Sequence, residues 1–156
     1  MIRPTVPEDT PALLALTQGT GLFLPIDLEA LDSVLAAYHD ENAAEGHRCF
    51  TYTLHDHPIG FVYFAPAPMT DRTWYLWWIV VSKQTQARGV GGHLLKKAEE
   101  GARAENGRLM MVETSGLPSY ELTRKFYLKH AYTQTAVLPD YYADGHDMVI
   151  FRKRLP

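Results

Sequence analysis

Apolar positions along this chain recur with a period of about two in some stretches and about 3.6 in others, and the switches between the two mark out its elements. Residues 2–6 form a short extended run closed by Pro7, which predicts a first strand. Glu8, Asp9 and Thr10 then supply first-turn and capping groups for a helix with Leu13, Leu14 and Leu16 on its apolar face, broken at Thr20-Gly21. Leu28, Leu31, Val34 and Leu35 hold helical spacing through a second helix over 27–39, and 41–46 is a polar connection. Two runs, 49–54 and 58–65, read as paired strands joined by the turn His55-Asp56-His57-Pro58. Residues 74–81 are apolar on both faces, with Tyr75, Trp77 and Ile79 set against Leu76, Trp78 and Val80, which predicts a strand in the middle of a sheet.

That run stops abruptly at a polar, glycine-rich stretch, after which Val90, Leu94, Ala98 and Ala102 recur every four residues, joined by Leu95. On this third helix Lys96, Lys97, Glu99, Glu100 and Arg103 are expected to point outward, with Lys96 and Glu100 paired across one turn. Asn106-Gly107 is its stop signal. A fifth strand over 109–114, a helix over 119–130 and two last strands over 133–139 and 148–154 complete the order β-α-α-β-β-β-α-β-α-β-β. The expected class is α/β in the broad sense: an α+β mixed, mostly antiparallel central sheet flanked by helices, and not a doubly wound parallel sheet. The 156 residues form a single domain over 1–156, long enough to bury a core without disulfides or metal.

The junction from Val81 to Leu95 is a strand, a tight loop and a helix start in one window. Backbone N–H groups in a helix's first turn lack intrahelical partners, and the helix dipole adds partial positive charge there, so the junction suits a phosphate or pyrophosphate. Two common glycine loops are excluded. The dinucleotide fingerprint needs a third glycine where Leu94 stands, and a P-loop needs Gly-Lys followed by Ser or Thr. What remains is Gln86-x-x-Gly89-x-Gly91.

Charge and composition narrow the partners. A net charge of −3 argues against nucleic acid, and no apolar run approaches the roughly 20 residues of a membrane span. The opening Met-Ile-Arg-Pro turns acidic and does not read as a secretory leader. The one cysteine, Cys49, sits in an apolar strand, which fits a buried thiol and a reducing, cytoplasmic setting. His55-x-His57 lies in a proline-containing turn without a third ligand nearby, so no metal is expected. His93 follows the glycine loop and reads as a helix-surface histidine or a phosphate neighbour, and Arg152-Lys-Arg154 as a solvated strand end.

With loop and element order together, the chain resembles the GNAT superfamily of acyl-CoA-dependent N-acetyltransferases. Gln86-x-x-Gly89-x-Gly91 is similar to that family's core loop, and Phe126-Tyr127 within Arg124 to Tyr132 is similar to its late helix motif. The resemblance implies a GNAT fold and acetyl-CoA (CoA) as cofactor. Gln86, Ala87, Arg88, Gly89, Val90, Gly91 and Gly92 would hold its pyrophosphate, and Ile79, Val80 and Val81 its pantetheine arm. Tyr127 would protonate the departing thiolate. Three positions depart from the family pattern: Ala87 where many members have glycine, Tyr120 where many carry a pantetheine-contacting asparagine, and Ala131-Tyr132 in place of Gly-Phe.

The chemistry requires a neutral amine, yet a lysine-type amine with a pKa of about 10.4 is almost wholly protonated at neutral pH, so a base and an acid are each expected to contribute about 10²- to 10⁴-fold. The strand over 74–81 offers no carboxylate, and Glu113, ending the apolar run of 109–112, is the substitute, as base, substrate-binding group or structural ion-pair partner. Tyr127 has a packed-aromatic alternative. Phe23, Trp74, Trp77, Tyr141 and Tyr142 fall near the expected acceptor groove, with Phe23, Trp77, Tyr141 and Tyr142 as candidate substrate contacts. Asp140, Asp144 and Asp147 either draw in a cationic amine or solvate a turn. The expectation is direct transfer from acetyl-CoA to a primary amine in a ternary complex. A non-catalytic acyl-CoA-binding module is the alternative, and a homodimer is possible. The acceptor stays open, because folds of this kind take many substrates through variable loops.

Overall fold

The computed structural model describes residues 1–85 and 88–156. One seven-stranded sheet runs in the order β1-β2-β3-β4-β5-β7-β6. β1 (Ile2–Pro4), β2 (Arg48–Leu54), β3 (His57–Pro66) and β4 (Thr73–Val81) pair antiparallel in turn. β4 and β5 (Leu109–Ser115) are parallel, and β5, β7 (His146–Arg154) and β6 (Thr133–Ala143) close the sheet antiparallel. The helices α1 (Thr10–Gly19), α2 (Pro25–Ala37), α3 (Val90–Ala104) and α4 (Glu121–Lys129) cover it. Class and element order are those the hydrophobic pattern predicts. Among the described residues, no helix is long and apolar enough to cross a membrane.

The sheet is buried on both faces. Val62, Phe64, Leu76, Leu94, Met110 and Phe151 belong to a core on the α3 and α4 side, while Leu13, Leu31, Leu35, Phe61, Tyr63 and Val80 belong to a second core under α1 and α2. Four consecutive residues of β3, from Phe61 to Phe64, are therefore fully buried, alternating between the two cores.

Boundaries differ from expectation where local hydrogen bonding decides them. α2 starts at Pro25, earlier than its apolar spacing suggests, because the Asp27 carboxylate accepts the Leu24 N–H at 2.8 Å and proline suits the first turn. It runs on into a single π turn, Tyr38–Asn42. His55 and Asp56 both take positive φ (49° and 64°), which makes a two-residue hairpin turn and brings His57 and Pro58 into β3. Glu99 is corrected outright. It is 6 % exposed and accepts hydrogen bonds from the Tyr132 hydroxyl (2.8 Å) and Lys153 Nζ (3.1 Å), partners on elements far away in sequence. Lys96 and Glu100 do pair on the surface, at 3.8 Å.

One irregularity positions everything that follows. Tyr63 pairs with Trp78 and Phe64 with Leu76, so Trp77 has no opposite number and forms a β-bulge. The extra residue shifts the phase of β4: Trp74 and Leu76 before it face the α3 core, whereas Trp78 and Val80 after it face the α1–α2 side. The expected unbroken alternation across 74–81 therefore fails at Trp77, which is 46 % exposed. The parallel ladder from β4 to β5 stops at the same point, its last pair being Leu76 with Val112. Beyond that pair the two strands diverge, and a gap opens in the middle of the sheet.

Candidate active site

On the α3 side of the gap, Gly89 stands at φ 74°, ψ 11° and turns the chain into α3. A β-carbon there would meet nothing within 4 Å, so the backbone conformation, costing other residues about 1–2 kcal/mol, is what calls for glycine. The bond from His93 N–H to the Gly89 carbonyl, at 3.2 Å, opens the helix, and the amides of Val90, Gly91 and Gly92 form its first turn. At Gly91 a β-carbon would come within 3.3 Å of the Phe126 ring, so the missing side chain lets α3 approach α4.

A groove of about 990 Å³ runs from this helix start between β4 and α4. Ile79, Val80 and Val81 line one wall, Gly89, Gly91 and Gly92 the end, and Tyr120 and Phe126 the other wall. Apolar walls that lead to a helix N-terminus fit a long ligand with an anionic end. Of the residues expected at the cofactor, the structure brings those six together with Tyr120. Gln86 and Ala87 lie outside the described residues. Arg88 is not on the groove: it is exposed, and its N–H donates to the Thr85 carbonyl at 3.1 Å. The Val90 side chain is buried in the core, which leaves its backbone to face an anion.

A second cavity, about 280 Å³, fills the gap itself, between Leu76 to Ile79 of β4 and Val112 to Ser115 of β5. Phe23, Tyr120 and Ile79 line both cavities and so mark where they meet. The Tyr120 hydroxyl donates to the Leu22 carbonyl at 2.8 Å, tying the α1–α2 connection to the start of α4. Tyr127 lines the second cavity rather than the long groove. It is 3 % exposed, and its hydroxyl, which makes no hydrogen bond to another described residue, is not sealed in the core but adjoins the cavity. Burial pushes this phenol well above its ordinary range, so it holds its proton at neutral pH.

Glu113 is exposed on the opposite wall, with no hydrogen bond or ion pair among the described residues. The strand end that the sequence marks as a costly place for a carboxylate is open to solvent, because β4 has turned away from it. The Tyr142 hydroxyl is pushed up to about 12, first by burial and then by the Glu113 carboxylate. Glu113, Trp77 and Tyr142 also border a further pocket of about 460 Å³ reaching Pro66, Pro68 and Tyr75, so the second cavity continues as an aromatic groove.

Phe23, Trp77 and Tyr142 thus stand where the acceptor was expected, and two other candidates do not. Tyr141 is 58 % exposed and lines neither cavity, and Trp74 is buried in the core. Two of the three aspartates of the last hairpin serve the turn: Asp147 accepts the Asp140 N–H at 3.0 Å and Asp140 accepts the Gly145 N–H at 2.7 Å, while Asp144 is exposed. Asp27, Trp78, Ser115 and His146 line the cavity without having been expected there. Asp27 marks in sequence only the expected start of the second helix, and in the structure it also accepts the Leu24 N–H; Ser115 and His146 carry no local signal, since only the sheet brings them together. His93 stacks on Tyr52 (11° between planes) at the groove's edge, and His55 is an exposed turn residue.

The profile of the acetyltransferase (GNAT) family matches residues 20–132, from the α1–α2 connection through the end of α4. The chain belongs to the GNAT acetyltransferase family. A solved protein assigned to the GNAT family of acetyltransferases, from Desulfovibrio desulfuricans, is 30 % identical and superposes with a TM-score of 0.95 over 100 % of this chain and 99 % of its own. An N-acetyltransferase from Staphylococcus aureus Mu50 is 18 % identical with a TM-score of 0.81, covering 100 % and 98 %. An aminoglycoside 6'-N-acetyltransferase complexed with coenzyme A is 16 % identical with a TM-score of 0.77, covering 100 % and 97 %. The last two likenesses show the GNAT fold alone. No curated protein matches the chain significantly in sequence.

Proposed function

We propose that this GNAT protein moves an acetyl group from acetyl-CoA to a primary amine by direct transfer in a ternary complex. The observation that carries the reading is the interrupted β4–β5 ladder, which joins a long groove ending at the α3 N-terminus to a short, aromatic, carboxylate-bearing cavity. The donor would lie along the groove, its pyrophosphate against the first-turn amides of α3 and its pantetheine along Ile79 to Val81. It supplies an acetyl group activated as a thioester. Glu113 meets the incoming ammonium, at the position the sequence assigns to the base. Tyr127, protonated and without a competing partner, donates to the departing sulfur. Cys49 is buried in the α1–α2 core, away from both cavities, which supports transfer without an acyl-enzyme on sulfur.

The test is release of free thiol from acetyl-CoA across a panel of primary amines. Amine-dependent release supports transfer, whereas CoA binding without release over the whole panel points to an acyl-CoA-binding module. Binding of neither acetyl-CoA nor CoA removes both readings. Two further proposals accompany this one. A single, buried cysteine supports a cytoplasmic location. β6, exposed at all eleven residues along the sheet edge, supports a homodimer, which sedimentation equilibrium checks.

A further inference from the structure

Ser115 and His146 are thirty-one positions apart in sequence, yet Ser115 Oγ lies 2.7 Å from His146 Nε2, and both side chains line the acceptor cavity beside Tyr127. The pair is held from several sides. Arg124 donates to the Ser115 and Leu117 carbonyls, each at 2.8 Å, and the Gly116 N–H donates to the Asp147 carbonyl at 2.9 Å. Tyr142 packs on the imidazole with ring centroids 4.7 Å apart. Ser115 is 6 % exposed.

One hydrogen-bond direction at Ser115 Oγ is fixed by its neighbours. The Leu117 N–H can only donate, and it reaches Oγ at 3.1 Å. A serine proton directed to Nε2, with the imidazole proton on Nδ1, is compatible with the 2.7 Å contact. Ser115 itself lines the cavity, where an amine can reach it. We infer that Ser115 and His146 form a proton relay for the acceptor amine, with Ser115 touching the amine and His146 acting through it. The inference rests on the transfer reading and refines the part Glu113 plays in it.

The chemistry favours a separate proton acceptor. A carboxylate beside an ammonium holds it in place but also stabilises the charged form, so binding and deprotonation ask opposite things of Glu113. An imidazole is the side chain suited to taking a proton near neutral pH. In the step, an amine N–H bond breaks as an Oγ–H bond forms, and the proton already on Oγ passes to Nε2. The freed electron pair on nitrogen attacks the acetyl carbon. The imidazolium, only partly covered, returns its proton to water. The groups facing the pair are Glu113 from β5, Tyr142 from β6, Asp27 from α2, Tyr127 from α4, Tyr120 just before α4, and Asp147 next in β7. No lysine or arginine lines this cavity among the described residues; Arg124 from α4 is the nearby cation, held on the Ser115 and Leu117 carbonyls, and the Glu113, Asp27 and Asp147 carboxylates oppose its effect on an imidazolium.

The test uses the full-length protein in two arms. Long-range proton–nitrogen NMR of the labelled protein reads the His146 tautomer: a proton on Nδ1 is expected, and Ser115→Ala should change the pattern. A proton on Nε2 at neutral pH overturns the relay. Kinetics with acetyl-CoA and phenethylamine form the second arm. His146→Gln and Ser115→Ala should each lower kcat by about 10²-fold or more and abolish the acidic limb of the pH profile. KM for phenethylamine should change little, and CoA affinity should stay within about twofold, since neither residue lines the cofactor groove. A purely structural pair would lower melting temperature and leave the pH limb in place, which also overturns the inference. Wild-type protein that releases no thiol with any amine rejects the transfer reading instead, and the tautomer then decides the hydrogen-bond arrangement on its own.

Discussion

Replacing Tyr127 by phenylalanine removes one oxygen atom and separates chemistry from folding. The hydroxyl belongs to a side chain only 3 % exposed that lines the cavity. The hydroxyl adjoins the cavity and is not a sealed unpaired group, so its removal should leave stability within about 0.5 kcal/mol of wild type. The ring would keep its contacts with Tyr132 and Phe151, whose centroids lie 5.7 and 5.5 Å away, because phenylalanine has the same shape. Catalysis should respond far more. Loss of a positioned acid lowers turnover by about 10²- to 10⁴-fold, or about 2.7–5.4 kcal/mol in barrier height. The assay pairs a thermal melt with thiol release at saturating acetyl-CoA, and CoA affinity serves as a control because Tyr127 is absent from the cofactor groove. A melting temperature close to wild type with turnover down by two orders or more is expected. Near-wild-type turnover would refute the acid role and leave the hydroxyl as a passive occupant of the gap.

Four other substitutions or reagents probe the same framework. Glu113→Gln should raise KM for a cationic amine by about tenfold or more while lowering kcat less, since a solvent-facing charge is lost without a folding partner; steady-state kinetics against ionic strength checks this. Gly89→Ala should destabilise by about 1–2 kcal/mol through its left-handed φ, with no steric contribution, and a denaturant melt reads the loss. Cys49, with its thiol pushed up to about 12 by burial, should resist iodoacetamide at pH 8 in the native protein and react once unfolded, as mass spectrometry will show. The buried Asp9 carboxylate accepts two bonds from Arg3, at 2.7 and 2.8 Å, and that guanidinium holds its pKa below the usual range. The stability it supplies is therefore complete above the ordinary carboxylate pKa of about 4 and is lost as pH falls through the lower folded value. Asp9→Asn should flatten the acid limb of melting temperature against pH.

The fold was legible because its signals are local. Apolar spacing in α3 and the strand runs of β2, β3 and β5 each depend on neighbours within a few residues, and the observed elements lie within two to four residues of the expected ones. Helix α2 moved because a capping carboxylate, Asp27, and a proline outweighed the start of the apolar stripe. Glu99 was misread for a different reason. Its spacing puts it on the rim of an amphipathic helix, where a charge is normally solvated, and its burial is sustained by Tyr132 after α4 and Lys153 of β7, with Arg103 adding a local ion pair at 3.9 Å.

The cofactor end of the site shares that local character, since the strand end, the loop and the first helical turn adjoin in sequence and a glycine pattern can mark them. The acceptor end does not. It exists because β4 gains one residue over β3 at Trp77, and an insertion of that kind leaves no mark in a run that is apolar at every position. The same bulge ends the parallel ladder at Leu76 and Val112, exposes Glu113, and turns Trp78 toward Phe23. His146 comes to the cavity only through the β5–β7 register, in which Ser115 pairs with Met148, two residues further along β7. Deleting one residue at Trp77 should restore the phase of β4 and extend its pairing with β5. On that reasoning the variant keeps a folded sheet but loses the cavity, so it should fail to turn over any amine while the α3 helix start, which the bulge does not build, still carries its anion-facing amides.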